Sequence, residues 1–254
     1  MNTIYIYHGT HDYAGVDCEG VIQLVSKFKE ITPNVNINFV DAANLESKIC
    51  VNPNVEPNWE QKIVLVFPGG KASIWDEQLG ETVHTVRSFI ERGGNGLFIC
   101  AGAYWSAKES LFTVSEGNSI YRKRPLQFFP GAVKGPIKFS DSCVVHVKDE
   151  INNISGAVFL YEGGYFETND QIKDDFTTLS TYPDKKIAAI RMKVGLGKIV
   201  STCVHYEFDG MAVVNKFIDD ETWEKFQEIN SKLLESKHFR TQFFVEALKF
   251  FGDS

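Results

Sequence analysis

Ile63-Val64-Leu65-Val66-Phe67 is apolar at every position and stops at Pro68-Gly69-Gly70. A run this short does not make a stable helix, and with no polar alternation it has no side that tolerates water, so it reads as a strand covered on both faces. Leu97-Phe98-Ile99 repeats the pattern and breaks at Cys100-Ala101-Gly102, and Ile4-Tyr5-Ile6-Tyr7 does so at His8-Gly9-Thr10. Residues 35–40 alternate polar and apolar as a further strand. Val21, Leu24, Val25 and Phe28 recur at helical spacing before Pro33, as do Val83, Val86, Phe89 and Ile90 before Gly93-Gly94. Buried strands alternating with amphipathic helices over the first 110 residues predict a parallel sheet with helices on both faces.

From Leu126 the texture changes to closely spaced β-like runs at 143–147, 157–161, 177–182, 187–192 and 199–204, punctuated by Asn, Asp, Gly and Pro. No Ser/Pro-rich linker and no internal repeat separates them from the first half, so an antiparallel-rich extension of the same sheet is expected. Residues 217–251 close the chain with two helical patterns, one carrying Trp223, Phe226, Ile229 and Leu233, the other Phe243, Phe244 and Leu248. Their apolar stripes are expected to pack on the body of the protein, with an oligomer interface as the lesser alternative.

Charge and cysteine usage remove several function classes. Lys plus Arg number 26 against 33 Asp plus Glu, a net charge of −7, and the short run Tyr121-Arg122-Lys123-Arg124 is the only basic cluster. A nucleic-acid partner is not expected. Apolar runs are too short to span a bilayer, and the start Met1-Asn2-Thr3-Ile4 lacks the basic flank of a secretory leader, so neither a membrane partner nor secretion is expected. The five cysteines, Cys18, Cys50, Cys100, Cys143 and Cys203, contain no C-x-x-C pair, which fits neither a disulfide framework nor a zinc site and suits a reducing cytoplasm. His8 and His11 share the loop after the first run, but two histidines in such a loop more often give hydrogen bonds than a metal site. Gly9 reads as a substrate-proximal turn, and no metal or cofactor is expected.

Cys100 sits where an apolar strand breaks into small residues and a helix start, the placement of a nucleophile elbow, which lifts a side chain above the carboxyl edge of the sheet. The other four cysteines are expected to be buried and inert. His205-Tyr206-Glu207 follows the run 199–204, again at a strand's carboxyl end. There His205 can take the thiol proton while Glu207 holds the imidazole in the required tautomer. Gly69 or Gly70, with the amide of Ala101, supplies an oxyanion hole for a tetrahedral intermediate. Tyr165 and Glu167, with Glu162, Gly163 and Gly164, border the pocket or else form an ordinary strand-to-strand turn.

Strand-P-G-G, a cysteine elbow and a late strand-H-x-E occur in the order of class I glutamine amidotransferase-like domains, which the chain resembles over most of its length. It is more closely similar to the N-terminal domain of eukaryotic-type biotin–protein ligases and its stand-alone bacterial relatives. That resemblance is carried by Phe67-Pro68-Gly69-Gly70, Ile99-Cys100-Ala101-Gly102-Ala103-Tyr104, Leu126-Gln127-Phe128-Phe129-Pro130-Gly131 with Gly135-Pro136, Tyr161-Glu162-Gly163-Gly164-Tyr165-Phe166 and His205-Tyr206-Glu207-Phe208. It implies one flavodoxin-like, three-layer α/β sandwich over residues 1–254, mostly parallel with an antiparallel-rich second half. The amidotransferase elbow reads G-x-C-x-G, and here its first position is Phe98; the glutamine that holds substrate four residues after the nucleophile is replaced by Tyr104. Free glutamine is therefore expected to fit badly. The glycine- and arginine-rich biotin loop of the ligases is absent, so this sequence is not expected to adenylate biotin. Two functions remain. One is a thiol-dependent hydrolase or amidotransferase acting on an unknown small-molecule amide or acyl substrate through Cys100, His205 and Glu207; a partner enzyme is not indicated. The alternative is a catalytically silent ligand-binding or regulatory module on the same fold.

Overall fold

The computed structural model describes residues 3–9, 15–50, 63–139, 143–209 and 223–252. In chain order the first half runs β1 (Thr3–Tyr7), α1 (Cys18–Ile31), β2 (Asn36–Val40), α2 (Leu45–Ile49), β3 (Ile63–Phe67), α3 (Ala72–Leu79), α4 (Thr82–Glu91), β4 (Asn95–Ile99) and α5 (Ala101–Ser106). Then come β5 (Ala107–Ser115), β6 (Asn118–Lys123), β7 (Phe129–Gly135), β8 (Val144–Asp149), β9 (Ile154–Phe159), β10 (Tyr165–Glu167), β11 (Thr177–Thr181), β12 (Ile187–Val194) and β13 (Gly197–Thr202). The last two helices are α6 (Trp223–Glu235) and α7 (Lys237–Gly252).

The parallel part of the sheet has the order β2-β1-β3-β4-β13, the doubly wound arrangement in which the strand order reverses beside β1 and ligands collect at the carboxyl edge. Strand β13, from late in the chain, supplies the fifth position. Beyond it the sheet continues through β12, β10, β7, β5 and β6, antiparallel except where β5 runs beside β7. Register delivers the site: Phe67 pairs with Phe98 and Thr202 with Ile99, so Pro68, Cys100 and Cys203 leave the sheet at one edge.

All five residues of β3 and of β4 are buried, which explains their uninterrupted hydrophobicity. Alternate strand residues serve opposite layers. Tyr7, Leu65, Phe67 and Phe98 meet Trp75, Phe89, Ile90 and Trp105 on one side. Ile4, Ile6, Val64, Val66, Leu97 and Ile99 meet Val21, Leu24, Phe28 and Phe244 on the other. Helix α1 begins where the Asp17 side chain accepts the Gly20 N–H at 3.3 Å, and ends before Pro33. Helix α7 covers the same face as α1, with Phe28 and Phe244 edge to face at 5.6 Å. The closing helices thus pack on the body as expected. Residues 217–222 lie outside the described residues.

The helix start expected after Cys100 is present as the six-residue α5, which runs directly into the β5–β6 hairpin, an element the hydrophobic pattern does not announce because its stripes mix apolar with charged residues. The expectation that the four remaining cysteines are buried needs correction: Cys18 and Cys50 are exposed, Cys143 is half-buried, and Cys203 alone fits the expectation. Among the described residues no helix is long and apolar enough to cross a membrane.

Candidate active site

Strand β4 ends at Ile99, and Cys100 turns into α5 with φ 52° and ψ −103°. A side chain in that region costs about 1–3 kcal/mol and persists only where neighbours enforce it. Here the Cys100 N–H donates to the Thr202 carbonyl at 2.7 Å, and the Cys100 carbonyl accepts from the N–H of Ala103 at 2.9 Å and of Tyr104 at 3.3 Å. The sharp turn also needs α5 to cross close over β3. A Cβ on Gly102 would lie 2.6 Å from the Phe67 carbonyl oxygen, so only glycine fits. The sequence signal of small residues after the cysteine has its cause in that crossing.

His205 lies just past β13. Thr202 folds the chain there, its hydroxyl donating to the Val204 carbonyl at 3.1 Å and accepting the Val204 N–H at 3.2 Å. An isolated bridge to Phe159 then fixes the His205 backbone. The imidazole is 5.7 Å from the Phe159 ring and 5.1 Å from that of Phe208, and His205 and Glu207 are only 2% and 1% exposed. Nδ1 lies 2.7 Å from Glu207 Oε1, and the Cys100 sulfur is near enough to act on the ring electrostatically. Burial alone drives the imidazole toward its neutral form. The Glu207 carboxylate, with its hydrogen bond to the ring, and the nearby Cys100 sulfur outweigh it, so His205 holds its proton well above the ordinary histidine range.

The second carboxylate oxygen of Glu207, Oε2, is buried and has no hydrogen-bond partner among the described residues. Arg240 of α7 is a cation within electrostatic reach of it. Burial pushes its guanidinium down to about 10, against the pull of Asp209 and Glu207. Gly69 lies directly against the imidazole: a Cβ there would meet His205 Cε1 at 2.7 Å.

Of the two glycines expected as oxyanion donors, Gly69 spends its carbonyl on the Asp17 N–H at 2.9 Å and borders His205, whereas Gly70 opens on a cleft of ≈ 720 Å³ together with Ala101 and Cys100. Among the described residues, neither the Gly70 nor the Ala101 N–H donates to a backbone carbonyl. Tyr104, Tyr161, Glu162 and His205 continue the lining. Burial, followed by charges on Cys203, Cys100 and Glu162, pushes the Tyr104 phenol far up. The phenol therefore stays a donor, bonding the Glu162 carbonyl at 3.2 Å. The Tyr161 carbonyl accepts from the Cys100 thiol at 3.6 Å.

Gly163 and Gly164 do not line the cleft. They lie behind it, where their carbonyls accept the Ile137 N–H at 2.8 Å and the Tyr182 hydroxyl at 2.7 Å. Gly9, buried at the end of β1, is likewise outside the lining, and Thr10 to Asp12 fall outside the described residues. Among the described residues no group of three metal-ligating side chains occurs. Sequence reasoning missed Tyr161, Lys71, Phe112, Ile120 and Arg122 as lining residues. The period-two spacing of Phe112 with Val114, and of Ile120 with Arg122, was the available signal.

A family model described as biotin-protein ligase, N terminal, matches residues 2–252. The biotin–protein ligase of Schizosaccharomyces pombe is 28% identical over 203 residues, 73% of this chain and 31% of that protein. The chain thus spans about a third of the length of that relative. An uncharacterized protein of Chlamydia muridarum is 29% identical over 165 residues, covering 60% of this chain and 64% of that one. Among solved structures, a ThuA-like protein from Bacteroides uniformis superposes with a TM-score of 0.52 at 12% identity, over 84% of this chain and 89% of that chain, and shares the fold.

Proposed function

The chain belongs to the biotin–protein ligase N-terminal family, and from that premise and the site geometry we propose that it is a cysteine-dependent hydrolase or acyl transferase for an amide or related acyl substrate. The observation that carries this reading is the 2.7 Å contact of His205 Nδ1 with Glu207 beside a cysteine held on a strained elbow, with Cys100 and His205 both opening on the cleft. In this reading the Cys100 sulfur adds to the substrate carbonyl carbon, and its proton passes to His205 Nε2. The oxyanion that forms is met by the N–H groups of Gly70 and Ala101. Collapse of the intermediate breaks the carbonyl–nitrogen bond, His205 returns the proton to the leaving amine, and a thioester remains. Water, deprotonated by His205, or a bound amine then cleaves the thioester, releasing acid or amide and restoring the thiol. Glu207 keeps the imidazole oriented and stabilises its charged form in the steps where it holds the proton. Biotin adenylation has no part in this chemistry.

A second reading, a ligand-binding module that turns nothing over, is favoured by the donation of the Cys100 thiol to the Tyr161 carbonyl and by a cysteine only 7% exposed. One experiment separates the two: iodoacetamide at neutral pH, with each cysteine followed by peptide mass mapping, because Cys18 and Cys50 are exposed and label independently. Catalytic activation requires that His205→Ala slow Cys100 alkylation about tenfold or more. An unchanged Cys100 rate leaves the binding module standing. Free glutamine is expected to release no ammonia, because the Tyr104 ring occupies the position of a hydrogen-bonding amide. Saturable release that Cys100→Ala abolishes would restore ordinary amidotransferase chemistry.

A further inference from the structure

The β5–β6 hairpin forms one wall of the cleft, and its register decides which residues face the substrate. Ser110 pairs with Arg122 and Phe112 with Ile120, so Phe112, Val114, Ile120 and Arg122 share one face, and all four line the cleft. The Phe112 ring is 5.8 Å from that of Tyr104, which connects this stripe to the elbow. Val114 and Ile120 are 56% and 45% exposed, apolar surface turned into a concavity.

The cations of the cleft differ in what holds them. Arg124 is consumed by the fold, bonded to Asp76 at 2.7 Å and to Ser110 at 2.9 Å. Neither Arg122 nor Lys71, at the start of α3, has a side-chain hydrogen bond or ion pair among the described residues. Both line the cleft, in a chain of net charge −7. Lys71 follows Gly70 directly, its N–H bonding the Gly15 carbonyl at 2.8 Å, while Arg122 lies on the hairpin beside Ile120 on the face that carries the apolar stripe. The cleft thus has a cation on the α3 side and another on the hairpin, neither with a side-chain partner among the described residues, together with the apolar surface of Phe112, Val114 and Ile120.

From this arrangement we infer the substrate class, an inference that rests on the acyl-transfer reading above: an extended acyl compound with an apolar middle and a terminal carboxylate. Its scissile carbonyl meets Cys100, its apolar stretch lies along Phe112, Val114 and Ile120, and its carboxylate is held by Lys71 and Arg122. Arg122 offers paired N–H donors and Lys71 a compact charge, a set that matches a carboxylate and leaves a neutral end of equal length without partners.

The test uses two thiol probes of equal length, N-chloroacetyl-6-aminohexanoate and the corresponding 6-aminohexanamide. In each the Cys100 sulfur displaces chloride to form a carbon–sulfur bond, read by per-cysteine mass mapping at low salt. The carboxylate probe is expected to label Cys100 about tenfold faster, because two partly exposed ion pairs steer and hold it. The ratio is expected to fall toward one in the Lys71→Gln/Arg122→Gln double variant and to survive in Lys71→Arg/Arg122→Lys, which keeps both charges. An oxyethylene spacer in place of the methylenes is expected to slow labelling several-fold; equal rates with the two spacers remove the apolar stripe from the proposal. A ratio of one in the unsubstituted protein, with Cys100 still labelled in a His205-dependent manner, overturns the substrate class and leaves the acyl-transfer reading intact. Labelling of Cys100 by both probes without dependence on His205 overturns the acyl-transfer reading, and the substrate assignment with it.

Discussion

Replacing Glu207 by Gln keeps the shape of the His205 partner and removes its charge, so it isolates what the carboxylate does for the imidazole. The 2.7 Å contact lies between side chains 3% and 0% exposed, so solvent does not screen it. A hydrogen bond to a charged group in such a setting contributes about 1.5–3 kcal/mol. That loss lowers the pKa of the His205 imidazole. With the carboxylate gone, burial, which opposes the charged ring, meets less resistance. The expected consequence is a Cys100 iodoacetamide profile whose imidazole-dependent inflection moves to lower pH.

Stability follows with a definite sign. The folded-state pKa of His205 is raised above its unfolded value of 6.5, so the stabilisation is fully present below pH 6.5 and is lost as pH rises through the folded-state value. The deficit of Glu207→Gln in urea unfolding is therefore expected to be largest below pH 6.5 and to shrink on the alkaline side. Superimposable labelling profiles, or a deficit that grows with pH, would refute the assignment of Glu207 as the group that holds the charged imidazole.

Two further substitutions probe the scaffold. Cys100→Gly is expected to be more stable than Cys100→Ala by about 1 kcal/mol in thermal or urea unfolding, because glycine accepts φ 52° while alanine keeps the strain; an alanine variant of equal or greater stability removes the strained elbow. Gly69→Ala drives a methyl to within 2.7 Å of His205 Cε1, and this is expected to slow Cys100 alkylation about tenfold or more while far-UV circular dichroism stays unchanged; unaltered alkylation would show that the imidazole does not need its present position.

The all-apolar run 63–67 became β3, and the breaks at Pro68 and Cys100 became the carboxyl edge of a parallel sheet, because a strand buried on both faces admits no polar residue and its end requires turn chemistry. The placement of Cys100 and Ala101 at the end of β4, and of His205 and Glu207 in the segment after β13, was legible for the same reason, because the hydrophobicity of those strands marked where they end. What the sequence could not show was which turns face the cleft. Gly163 and Gly164 read as pocket residues by composition, yet they are packed behind it by bonds from Ile137 and Tyr182, residues distant in the chain. The β5–β6 hairpin escaped notice because a wall that faces a solvent-filled cleft carries a mixed stripe, with neither the unbroken run of a core strand nor clean alternation. Local pattern thus determined the strands and the residues at their ends. Pairing between distant segments decided the cleft, the raised proton affinity of His205 and the lack of side-chain partners for Lys71 and Arg122 among the described residues, because these depend on burial and on neighbours that no stretch of sequence contains.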